Sequence, residues 1–133
     1  MRILVGALAV SLLAGCATSP ISADKADPVP QSRLYAFGNK ADAQVVVTRD
    51  SGLYGSGCNY RLYIDGTLAA EFASGEVAKF GVKPGKHILG VKPSAACGGF
   101  GLVEREVEVG AGESVRRRIT LSGDAFDISP TAM

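Results

Sequence analysis

From Arg33 onward the chain alternates apolar and polar residues in short runs, most of them closed by glycine or proline. Period-two alternation marks strands with one buried face. The pattern predicts seven strands: Gln44–Arg49, Asn59–Ile64, Leu68–Ala73, Val77–Val82, His87–Lys92, Val103–Val109 and Val115–Leu121. Leu34–Phe37 reads as a short extra edge piece, and no stretch beyond the first residues carries a helical period. Strands without helices, punctuated by turns, predict an all-β fold: a small antiparallel β-sandwich of immunoglobulin-like kind. Alternation also assigns core positions: Tyr60, Leu62 and Ile64; Leu68, Ala70 and Phe72; Ala78, Phe80 and Val82.

Keeping apolar faces together sets the expected registers. Around Asp65-Gly66, a three-residue loop pairs Tyr63 with Thr67 and Leu62 with Leu68, with Gly66 at positive φ. A two-residue loop would throw the two apolar rows onto opposite sides. In the last hairpin, pairing Val109 with Val115 sets Glu108 beside Arg116 and Glu106 beside Arg118. The Arg116–Arg118 run then reads as an ion-paired sheet surface, each exposed pair contributing about 0.2 to 1 kcal/mol. Up-and-down counting brings the loop before Cys58 and the loop around Cys97 to the same end.

The start of the chain has a different pattern. Arg2 precedes an apolar run, Ile3 to Leu13, which meets Leu13-Ala14-Gly15-Cys16. As a helix that run would span about 16 to 18 Å, too short for a hydrocarbon core of about 30 Å. A basic residue, a short apolar stretch and small residues against a cysteine make a secretory signal with a lipobox. Residues 1–15 are expected to be a signal peptide and Cys16 a lipidated N-terminus that anchors the protein in the membrane without a spanning helix. The start resembles that of Gram-negative lipoproteins. By that resemblance Ala17, in place of an aspartate after the cysteine, implies export to the outer membrane rather than retention in the inner one, with the domain expected to face the periplasm. Residues 16–32 hold three prolines and small polar residues and read as a flexible tether, spanning on the order of 50 Å if stretched. The β-domain is then 33–133.

Removing residues 1–15 of 133 leaves 118, one domain's worth of chain. Arg2 leaves with them, so 13 basic residues face 13 acidic ones. That balance argues against nucleic acid as a partner. Of three cysteines, Cys16 is assigned to lipid, which leaves Cys58 and Cys97. In an oxidising compartment the default is a disulfide, with two buried thiols as the alternative. Closing a loop of about 40 residues stabilises by roughly 4 kcal/mol in the chain-entropy model.

No residue pattern announces catalysis. His87 is the only histidine, opens a strand after Pro84-Gly85-Lys86, and reads as structural; no ligand cluster for a metal accompanies it. Ser22-Ala23-Asp24-Lys25 has Ser-x-x-Lys spacing but no partner motifs. Gly52-x-x-Gly55-x-Gly57 leads into a strand rather than a helix, so it is no phosphate loop. The expectation is a non-enzymatic protein without a cofactor. The candidate binding surface is Leu53, Tyr54 and Phe100, carried on the two glycine-rich loops that the disulfide staples. The competing reading folds those side chains inward as a cap.

The chain resembles a group of bacterial lipoproteins that carry a small PEGA-like β-sandwich. The resemblance rests on Arg33-Leu34-Tyr35-Ala36-Phe37, Val46 to Gly52, Tyr63-Ile64-Asp65-Gly66, Val82 to Gly90 and Ile128-Ser129-Pro130-Thr131. It implies architecture and location, and no activity. Three roles stand as expectations from the loops, in this order: an accessory or binding module with an envelope protein as partner, a small inhibitor or immunity factor that plugs an enzyme's cleft, and last an unrecognised hydrolase with its site in the stapled loops.

Overall fold

All seven strands read from the alternation form, and two more join them. The computed structural model describes residues 18–53, 55–123 and 125–133. The expected signal segment, Cys16 and Tyr54 therefore lie outside the described residues. In chain order the strands are β1 (Asp27–Pro28), β2 (Ala43–Arg49), β3 (Tyr60–Ile64), β4 (Thr67–Phe72), β5 (Glu76–Val82), β6 (Gly85–Pro93), β7 (Val103–Val109), β8 (Ser114–Ser122) and β9 (Ala125–Pro130). They build a sandwich of a five-stranded sheet, β1-β5-β2-β8-β9, and a four-stranded sheet, β4-β3-β6-β7. The small sheet is antiparallel. The large one is mixed, because β2 runs parallel to β8 and β1 parallel to β5. Val45, Val47, Phe80 and Ile119 on the large sheet meet Leu62, Ile64, Leu89 and Val91 on the small one to form the core.

Three expectations are corrected. At Asp65-Gly66 the loop has two residues, with Ile64 opposite Thr67. Asp65 (φ 50°) and Gly66 (φ 79°) both take the left-handed conformation, as the tight turn that matches strand twist requires. The mismatch of apolar rows is repaired inside β4. Leu62 faces Ala70 and Tyr63 faces Leu68, so Ala69 is an extra, bulged residue. Ala70 and Phe72 return to the core, and Leu68 stays half-buried outside it.

The second correction concerns the last hairpin. β7 pairs with β6, and β8 pairs with β2 and β9, so β7 and β8 lie in opposite sheets. The expected Glu–Arg ladder does not form. Instead Lys86 meets Glu106 at 3.8 Å, Arg118 meets Asp50 at 3.5 Å and Arg105 meets Asp127 at 3.1 Å. Exposed ion pairs are too weak to decide strand pairing. With β7 and β8 in different sheets, Val107, Val109, Ile119 and Leu121 are all buried in the core between the sheets, and burying four apolar side chains outweighs a few surface ion pairs.

Third, residues 18–32 are fastened to the sandwich rather than free. Ser19 and Ser51 exchange backbone hydrogen bonds of 2.9 and 2.8 Å. Asp27–Pro28 lies beside Glu76–Val77, and Val29 is buried. Pro28 is tolerated because β1 is an edge strand. Arg33 then clamps the segment with two 2.7 Å hydrogen bonds to the Glu76 carboxylate and one of 2.8 Å to the Glu71 carbonyl. Beyond it, Leu34 alone of the expected edge piece forms a bridge, to Ala70. Gly81 lets residues 39–41 close over β5: a Cβ there would stand 2.1 Å from the Asn39 carbonyl oxygen.

Candidate contact surface at the disulfide end

Alternation along β2 puts Val45, Val47 and Arg49 on one side, which is the core side. Arg49 is accordingly fully buried at the end of the strand. Its guanidinium gathers backbone carbonyls from the following loop and from β4. Nη1 donates to the carbonyls of Cys58 (2.6 Å) and Phe72 (2.8 Å), and Nη2 donates to that of Gly55 (2.8 Å). The same group lies 4.9 Å from the centre of the Tyr60 ring. Burial pushes Arg49 down from its ordinary value, and Tyr60 and Glu76 oppose the shift. One side chain thus holds the loop 50–59 from below.

The disulfide holds that loop from the side. Cys58 and Cys97 are bonded, with Cα atoms 5.8 Å apart. Cys97 ends a single 3-10 turn, Ala95–Cys97, in the β6–β7 loop, and Ser94 N–H donates to the Asn59 carbonyl at 2.9 Å. Tyr60 and Phe126 meet edge-on at 5.4 Å and close the gap between the sheets. Between these rings, Leu121, the disulfide and Phe100 lies an open cleft of about 330 Å³.

The outer tips of the two loops are bare. Leu53 is 93 % exposed and Phe100 is 85 % exposed. The inward-capping alternative is therefore not what these two side chains adopt. Tyr54 is outside the described residues, so its part in the surface stays an expectation.

A second feature of this end is one that the sequence reading does not anticipate. Asp50 is fully buried and ties down Thr18, whose Oγ1 donates to its carboxylate at 3.1 Å. Thr18 N–H donates to the Leu121 carbonyl at 3.3 Å. Burial raises the Asp50 carboxyl above its usual value, against the pull of Arg118 and the Thr18 and Thr120 hydroxyls. The sequence carries a signal for Arg49, which parity places inside after the three valines, but not for Asp50, which falls on the other parity.

The opposite end carries His87. Its Nδ1 lies 2.6 Å from Asp65 Oδ2 and its Nε2 lies 2.6 Å from the Lys83 carbonyl. Ile88 N–H donates to Asp65 Oδ1 at 2.8 Å. The trio pins the tight turn, a structural role. The imidazolium form can donate to both acceptors, so the Asp65 hydrogen bond and then the Lys83 carbonyl raise the His87 pKa above 6.5. Burial alone would raise Asp65, but the hydrogen bonds from His87 and Ile88 outweigh it and hold the carboxyl below 3.8. The His87 contribution to stability is complete below its unfolded value and is lost as pH rises through the folded one. That of Asp65 is present above its unfolded value and lost on acidification. The single histidine makes this measurable by NMR titration. A midpoint above 6.5 is expected, and Asp65→Asn should lower it; an unchanged midpoint in the variant would remove Asp65 as the cause.

Among the described residues, no group of three or more His, Cys, Asp or Glu side chains is placed to hold a metal, and no helix is long and apolar enough to cross a membrane. A second hollow, about 270 Å³, lies on the outer face of the small sheet among Tyr63, Ile88, Gly90 and Leu102. No family model matches the chain, and neither the curated proteins nor the solved structures contain a match to it.

Proposed function

We propose that the protein is a lipid-anchored component of the cell envelope that works by contact rather than by chemistry. Its anchor is Cys16, its compartment the periplasmic side of the outer membrane, and its contact surface the stapled loop end. The observation that carries the contact surface is the exposure of Leu53 and Phe100 on loops fixed by a disulfide and by a buried arginine. Leaving a Leu or Phe in water forgoes about 1.5–3 kcal/mol of burial each. Loops held this firmly present such side chains without the entropy loss of ordering them on binding. The lipobox supports the anchor, and Ala17 supports the outer membrane. The resemblance to PEGA-like lipoproteins agrees with both.

Intact mass measurement of native material tests the anchor. The expected species begins at Cys16 and carries acyl chains; an unacylated terminus overturns the reading. Photoreactive residues at 53 and 100 in living cells test the surface. Cross-links to envelope components are expected. Cross-links to an enzyme whose activity the protein suppresses would assign the inhibitor role instead, and no cross-link to protein or to lipid from either position would remove the surface.

A further inference from the structure

We infer that the partner of the stapled end is the lipid bilayer itself, on which the domain sits with Leu53 and Phe100 dipping into the boundary between headgroups and acyl chains. The inference rests on the proposed acylation of Cys16 and says what the anchored domain does next. Three observations lead to it.

The first is where the chain enters the fold. Thr18 is tied to the disulfide end through the Leu121 carbonyl and the Asp50 carboxylate. It also lies against the loop that presents Leu53: a Cβ on Gly52 would stand 3.7 Å from the Thr18 Cα. Cys16 is two residues upstream, so its Cα lies within about 7 Å of that of Thr18. Acyl chains on Cys16 must leave the molecule from this end. The second is the loss of slack. Residues 18–32 are held by Ser51, Glu76 and Val77, so no long spacer separates the domain from its anchor. The third is the composition of the two loops. Neither 51–59 nor 93–103 contains Asp, Glu, Lys or Arg, in a chain that is 20 % charged. The charged side chains nearest them, Arg49, Asp50, Lys92 and Arg118 among them, lie outside those loops, and Arg49 and Asp50 are fully buried. Two apolar side chains would not bring a free protein to a membrane. Once an anchor makes the encounter intramolecular, they are enough to set its orientation. The hairpin at Asp65-Gly66 then points away from the bilayer.

The chain has no tryptophan, so Leu53→Trp and Phe100→Trp report without background. Ile88→Trp, on β6 toward the far end, is the control; Ile88 is 37 % exposed. Each acylated full chain is placed in vesicles of phosphatidylethanolamine with a minority of phosphatidylglycerol, with and without brominated acyl chains. Quenching several-fold stronger at positions 53 and 100 than at 88 is expected. Equal quenching at all three, or none at 53 and 100, overturns the seating. Intact mass of the same samples separates the two readings. With acyl chains present and no quenching, the inference alone fails; with no acylation in native material, the anchor fails and takes the seating with it. A protein cross-linked through residue 53 or 100 in cells, without lipid quenching, overturns the seating and assigns the surface to that protein.

Discussion

Arg49→Ala is expected to destabilise the domain by about 3–5 kcal/mol, through buried acceptors left without a donor and the cavity it opens. Three carbonyls, those of Gly55, Cys58 and Phe72, lose their side-chain donor at once. Each buried acceptor left without a partner costs about 1–3 kcal/mol, reduced where water can enter. The removed side chain also leaves a void against Tyr60. Arg49→Lys should recover little, because an ammonium lacks the planar fork that reaches three acceptors. Urea denaturation of the oxidised protein measures the effect. Domains of this kind are stable by roughly 5–15 kcal/mol, so the loss is a large fraction of the whole. A variant within about 1 kcal/mol of the parent would show that water replaces the guanidinium.

Removing the disulfide is expected to lower stability by up to about 4 kcal/mol, read as Cys58→Ser with Cys97→Ser or as reduction of the native bond. The figure follows from a sequence separation of 39, which frees a long loop in the unfolded chain. The two perturbations share a residue, since the Cys58 carbonyl accepts from Arg49. They should therefore be non-additive: Arg49→Ala is expected to matter less once the bond is gone. Additivity in the four-member cycle would mean that each device holds the loop independently.

Much of this architecture is legible in the residues. Alternation locates every strand with a full apolar row, and the inward positions of β3 and β5 follow from parity. Cysteine counting pairs Cys58 with Cys97, and the loops they join do share an end. What escapes is decided by interactions that local pattern does not carry. The partner of β7 depends on burying Val107 and Val109 against a sheet that is distant in sequence, and surface charge is a poor guide to it. The turn at Asp65 obeys strand twist, and the face conflict moves to Ala69, where Tyr35 and Ala36 N–H groups cover the bulged carbonyl. β9 has only Phe126 and Ile128 as its inward row, too short a period to stand out. Prolines make 18–32 look like a tether, although edge strands admit proline. Arg49 escapes because a charged residue on an apolar face reads as an interruption until its acceptors are known.

The parallel pairing of β2 with β8 has a kinetic consequence. Gln44 lies beside Ser114, about seventy residues later in the chain. A chain emerging N-terminus first holds the middle of its larger sheet unfinished until almost the last strand arrives. Such long-range closure is slow and leaves a bare strand edge in the meantime. Refolding should therefore be slow for a domain this small, and aggregation during it should be the dominant competing process.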